Sequence, residues 1–191
     1  MEQNKEMSAQ QSFQIISETF NNSRKDILKG SAKYFMLWGA LLTAVSLVIY
    51  LLWHLTGKPE WNVLWFAMPV IGYPIAALMG KYNKALPQNE VSKMLGSVWA
   101  VFGTFAITLS VIALFLVPMR VSLVIVIIMG LAECMSGALL KNWPIIIAGF
   151  LLGVGGAVFA MLVDSDAQLL IFTLGGVLLL VTGFIMKLQY K

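Results

Sequence analysis

Six long hydrophobic runs fill most of this chain, and Glu133 is the one charged residue that lies well inside any of them. The runs are Tyr34–Leu55, Trp61–Gly80, Leu95–Val117, Val121–Leu140, Trp143–Val163 and Gln168–Met186. Their lengths of 22, 20, 23, 20, 21 and 19 residues match the roughly 20 residues that cross a hydrocarbon core about 30 Å thick. Only 12% of the 191 residues are charged, half the roughly 25% usual in soluble domains. No alternating pattern of ten-residue strands occurs, and in lipid a lone segment satisfies its backbone groups only as a helix. The expected fold is all-α, a polytopic membrane protein with six transmembrane helices and no room for a second, soluble domain.

The first run starts only at Tyr34 and has no short core followed by a cleavage site, so it reads as a retained helix and not a signal peptide. Basic residues set the expected orientation. With the N-terminus in the cytoplasm, eleven Lys and Arg residues fall on inner segments and only Lys58 and Arg120 on outer ones. The positive-inside rule then places both termini in the cytoplasm. A sequence pI near 9.2 follows from this scatter along inner membrane edges, which argues against a nucleic-acid partner.

Residues 1–33 form the one sizeable extramembrane segment, and 34–191 the transmembrane domain. Ser8 with Gln11 matches a capping box. Phe13, Ile16, Phe20 and Ile27 then recur at amphipathic helical spacing, with Gln14, Glu18, Asn21, Arg24 and Lys25 on other faces. Two readings stand: a helix lying in the cytoplasmic interface against the lipid bilayer, or a docking surface for a protein partner through residues 8–29. Gly30–Ser31 offers a bend between this segment and the first span.

The outer connections, Thr56–Glu60, Pro118–Arg120 and Asp164–Ala167, are too short to form a ligand-binding domain. Lys141–Asn142 followed by Trp143–Pro144 predicts a tight turn, with Pro144 in a first helical turn, and Pro118 ends the third run. Runs three to five should therefore be antiparallel neighbours. Trp53, Trp61 and Trp65 suit an outer aromatic belt, and Tyr34, Trp38, Tyr82, Trp143 and Tyr190 an inner one. The similar ends of runs two and four are too short to indicate a repeat.

Glu133 is the leading candidate for chemistry, because an acid at that depth is costly and by default suggests function. It lies eight residues before Lys141, roughly 12 Å from the inner end of its helix. No Lys, Arg or His sits at comparable depth, so a neutral carboxylic acid at pH 7 is expected. Thr43, Tyr73, Thr104 and Thr182 are its candidate hydrogen-bond partners. An interhelical structural bond, proton coupling, cation binding and a polar contact to a substrate all remain open. Pro69 and Pro74 in run two should each remove a helical hydrogen bond and favour a kink, a feature that shapes many membrane helices and lines some transporter sites.

Small residues in run five (Gly149, Gly153, Gly156, Ala157, Ala160), run four (Gly130, Gly137, Ala138) and run six (Gly175, Gly176, Gly183) predict close-packed seams. Gly153-Val154-Gly155-Gly156 lacks the preceding strand and following Lys of a phosphate loop. The single cysteine, Cys134, excludes an intrachain disulfide and reads as a small buried residue. His54 reads as an interfacial side chain, and Asp164 and Asp166 as a cap for the last helix. No metal ligand set, cofactor motif or nucleophile–base pair is present in the sequence, so no catalytic residue and no cofactor is expected.

Ser31-Ala32-Lys33-Tyr34-Phe35-Met36-Leu37-Trp38-Gly39, after the amphipathic segment, resembles the start of an uncharacterised family of small six-helix bacterial inner-membrane proteins. Ser136-Gly137-Ala138-Leu139-Leu140-Lys141 and Pro144-Ile145-Ile146-Ile147-Ala148-Gly149 look like that family's central hairpin. The resemblance spans nearly the whole chain and implies the six-helix topology and a bacterial inner membrane. It assigns no activity, and Glu133 stands outside the shared pattern. The expected function is that of a regulatory or interaction protein of the inner membrane, able to form a homo-oligomer. The alternative is a small transporter or channel using Glu133 and the second helix.

Overall fold

The structure is a computed structural model that describes residues 9–82, 90–116 and 119–189. Ser8, Lys5, Lys84, Pro118, Tyr190 and Lys191 lie outside the described residues, as does the side chain of Tyr82. Helix α1 spans Ala9–Thr56 and is followed by a 3-10 helix, Pro59–Phe66, and α2, Ala67–Tyr82. Then come α3 (Glu90–Phe115), α4 (Val121–Leu140), α5 (Trp143–Phe150), a π-helical turn (Leu151–Gly155), α6 (Gly156–Leu162) and α7 (Leu169–Gln189). Among the described residues six helical stretches are long and apolar enough to cross a membrane, with α5, the π turn and α6 forming one of them.

The first departure from expectation is at Gly30–Ser31, where the helix is not interrupted. Helix α1 continues through for 48 residues, about 72 Å at 1.5 Å per residue. Packing holds it helical there: Ile27, Leu28, Ser31 and Ala32 are all buried, and tertiary contact, not propensity, decides most helices. Ile27, Leu28 and Ala32 join Val91, Leu140, Ile145 and Met186 in one apolar cluster at the end of the bundle that carries both termini, the inner end hereafter. Arg24 reaches across and donates from Nε to the Leu139 carbonyl at 2.8 Å, placing a cation at the C-terminal end of α4. Residue 33 therefore marks no structural boundary. The segment from Arg24 onward belongs to the bundle, and Ile27 is core and not part of an exposed stripe.

Two helix pairs organise the rest. Helices α1 and α7 pack along one another with their backbones close: a Cβ on Gly176 would lie 2.6 Å from Thr43 N and 2.7 Å from Gly39 O and would overlap Thr43 Oγ1. Lower on the pair, a Cβ on Gly183 would lie 2.9 Å from Ala32 O. Helices α4 and α5 form the second pair, with Gly130 against Gly149 and Gly153, and Gly137 against Ile146. The two-residue turn between them closes as expected. Lys141 takes a left-handed conformation (φ 52°), Asn142 N–H returns to Gly137 O at 2.9 Å, and the Asn142 side chain accepts from Ile145 N–H at 3.2 Å. This is a Schellman ending joined directly to a helix N-cap.

Helices α2 and α3 are peripheral. Pro69 falls in the first turn of α2, directly after the 3-10 helix, where, with helical residues before it, it still withholds an N–H from the helical bonds. Pro74 is inside the helix. Gly72 lies against Trp38, whose ring meets Tyr73 edge-on at 5.4 Å. Helix α3 starts five residues before its apolar run, because Glu90 pairs with Lys93 in the first turn at 2.8 Å and Val91 is buried in the inner cluster.

The seams give a matched test. Gly176→Leu should separate α1 from α7 and lower stability by about 1–3 kcal/mol, as overpacking does. Gly96→Leu on α3, where an added Cβ meets nothing within 4 Å, should leave it unchanged. Thermal unfolding in detergent of the two variants checks this; equal melting points would contradict the packing.

Candidate functional site

Glu133 lies on the face of α4 that also carries Val126, Met129, Gly137 and Leu140, all buried. These positions repeat at three- and four-residue steps, the stripe a helix turns toward a core. Val126 and Met129 belong to an outer apolar cluster with Leu42, Leu152, Ala160, Ile171, Phe172 and Leu179, while Leu140 belongs to the inner one. Along α4, Glu133 thus falls between the two clusters. Its side chain is 1% exposed, and its Oε1 has no hydrogen-bond partner.

None of the four candidate partners changes this. Tyr73 is 66% exposed on α2. Thr104 is exposed on α3 and donates to its own helix at Ala100 O, 2.9 Å away. Thr43 donates to Gly39 O at 2.8 Å and serves the α1–α7 seam. Thr182 is buried on α7 but makes no bond to Glu133 Oε1. Neighbouring Ser136, 1% exposed, turns its hydroxyl to Ala132 O at 2.7 Å. Among the described residues no group of three His, Cys, Asp or Glu side chains could hold a metal ion.

A groove with a volume of about 450 Å³ runs between α4 and the α5–α6 span. Ile127, Leu131, Phe150, Val154 and Met161 line it with the exposed edge of the glycine seam; Cys134 is in its wall and Glu133 is not. Cys134 Sγ contacts Ile146 O at 3.4 Å, in keeping with a small packing residue. The π turn at Leu151–Gly155 carries Gly153 against Gly130, so the glycine run widens the helix where two backbones meet.

Three polar contacts had no strong sequence signal. Ser46 on α1 and Thr173 on α7 bring their hydroxyl oxygens to 2.9 Å, with Ser46 also donating to Leu42 O. Gln168 bonds the Ala160 carbonyl at 3.1 Å. His54 Nδ1 lies 2.8 Å from Asp166 Oδ2 and the ring stacks on Tyr50. The His54 hydrogen bond holds the Asp166 carboxyl below the usual carboxylate range, helped by backbone N–H groups and opposed by slight desolvation. Asp166 thus closes the outer end of the α1–α7 pair.

Comparison with protein-family models, with curated proteins and with solved structures finds no match for this chain.

Two measurements test the site. Replacing an unsatisfied buried carboxyl removes a penalty of about 1–3 kcal/mol, so Glu133→Met should unfold at the same temperature as the parent or higher. A drop of more than about 1 kcal/mol would reveal a structural hydrogen bond at Glu133. For the outer pair, a lowered folded-state pKa at Asp166 means its contribution is present above the ordinary aspartate value near 3.9 and is lost as pH falls through the lower folded value. Asp166→Asn should therefore cost no more than about 1 kcal/mol at pH 7, and nothing at pH 2. A deficit that persists in acid would exclude this origin.

Proposed function

We propose that this chain is a multi-pass protein of the bacterial inner membrane, with both termini cytoplasmic, that works as a regulatory or interaction protein. The observation that carries the reading is the free end of α1. Phe13, Ile15 and Ile16 are 74%, 50% and 56% exposed, and Phe20 is 38% exposed, on a helix continuous with the first span. A helix lying in the headgroup layer is normally separated from the span by a break, and α1 runs through without one. By the register of Arg24 against Leu139 at the end of α4, Phe13 is roughly 16 Å beyond the span along the axis, past a headgroup layer of about 5–7 Å. An exposed apolar stripe in that position marks a protein interaction site.

The core supports the same choice. A solute pathway needs several inward-facing polar groups in water, and Glu133 is enclosed with no hydrogen bond at Oε1. The eleven-to-two division of basic residues supports the orientation, and the resemblance of 31–39 and 136–149 to the six-helix family supports the membrane assigned.

The test places a photoreactive amino acid at Phe13 or at Phe20 of the full-length chain in growing cells. A discrete protein adduct at both positions, absent with the probe at Val101 on α3, is expected. Adducts to lipid alone, or none at all, would overturn the docking reading.

A further inference from the structure

We propose that the partner docked on α1 is an acidic amphipathic helix, seated in the corner between the Phe13–Phe20 stripe and the inner end of the bundle; this rests on the docking reading above. Phe13, Phe20 and Ile27 stand seven residues apart and so share one side of the helix. Ile27 is fully buried against Leu140, Ile145 and Met186. The stripe is therefore the outward continuation of the face that α1 turns into the bundle, and it looks over the inner ends of α4, α5 and α7. Arg24, on the same side, bonds Leu139 O and fixes the register: Phe20 is about 6 Å and Phe13 about 16 Å beyond the end of α4. That length accepts two to three turns of a partner helix anchored at i, i+3 and i+7.

Charge selects the kind of helix. At the foot of the stripe Lys141 closes α4 and Lys187 follows Met186, both exposed. Lys25 and Lys29 are exposed as well but fall on the opposite face of α1, roughly 140° or more from Phe20 at about 100° per residue. Among the described residues neither Lys141 nor Lys187 has an ion-pair partner within 4.0 Å; the two such pairs are His54–Asp166 and Glu90–Lys93. A helix with an apolar face and flanking carboxylates satisfies both the stripe and the free ammonium groups. A second copy of this chain pairing by this face in the same membrane would bring Lys141 and Lys187 against their equivalents, so charge opposes self-pairing. A lipid surface surrounds the bundle and does not lie over its end, where this face points.

The test uses the full-length protein in nanodiscs of neutral phosphatidylcholine. The probes are two fluorescent designed helices with the same Leu/Ala face, one carrying Glu on its flanks and the other Lys. The Glu peptide should bind and the Lys peptide should not. Phe13→Ser with Phe20→Ser, both at exposed positions and so harmless to folding, should weaken binding at least about tenfold. Lys141→Glu with Lys187→Glu should shift preference toward the Lys peptide. Equal binding of both peptides, or binding indifferent to the Phe substitutions, would overturn the assignment. Quenching of a Phe13→Trp variant by brominated lipid would overturn it in favour of a membrane. Loss of the site through dimerisation by the stripe would overturn it in favour of a second copy. A protein adduct in cells without Glu-peptide binding sinks the acidic helix alone, whereas absence of any adduct sinks the docking reading with it.

Discussion

The close approach of the first and last helices is the contact on which the rest of the bundle depends. Gly39 on α1 and Gly176 on α7 leave no space for a side chain at the crossing, and Gly183 gives α1 the same access near Ala32. Without a hydrophobic drive between helices in lipid, packing of this kind and polar bonds such as Ser46–Thr173 are the available attractions. Sealing the first helix to the last confines everything between them. The α4–α5 pair then closes locally, because the Lys141–Asn142 turn returns the chain immediately and Gly130 finds Gly149 and Gly153. Helices α2 and α3 have no such seam to the core and remain on the outside, so their exposed apolar faces follow from the pairing and need no separate cause.

Element positions were legible because they depend on local quantities. Run lengths, the proline at the start of helix five, and the Lys-Asn-Trp-Pro turn each act within a few residues. The seams were legible as surfaces, since glycines at helical spacing can only serve close approach or weaken the helix. Which seam meets which was not. Gly39 stands alone in its run, and nothing near it in sequence indicates that Gly176, 137 residues on, is its partner. The continuity of α1 was misread for a related reason. Gly30–Ser31 is a fair bend locally, but Ile27, Leu28, Ser31 and Ala32 are buried by residues of α3, α4, α5 and α7, and that burial outweighs the propensity of a single glycine, about 1 kcal/mol.

The candidate site was legible in one residue and not in its company. Depth identified Glu133, since span boundaries alone give height along a helix. Rotation about each helix decides whether Thr43, Tyr73, Thr104 or Thr182 can reach it, and single-sequence periodicity is too blunt in helices apolar on every side. Hydroxyls have a local alternative as well. Thr43, Thr104 and Ser136 each bond the carbonyl four residues earlier, so they cost nothing to leave away from the carboxyl.

An unsatisfied carboxyl and a projecting helix are connected through α1. Glu133 lies along α4 between the outer apolar cluster and the inner one, which Phe35 bridges by packing against both, and its Oε1 has no hydrogen-bond partner. Each cluster draws on α1, through Leu42 in the outer and Ile27, Leu28 and Ala32 in the inner. The same helix continues without a break into the exposed stripe. A load applied at Phe13 to Phe20 is thus delivered first to the inner cluster and the Arg24–Leu139 bond, and only beyond them to the Gly39–Gly176 crossing.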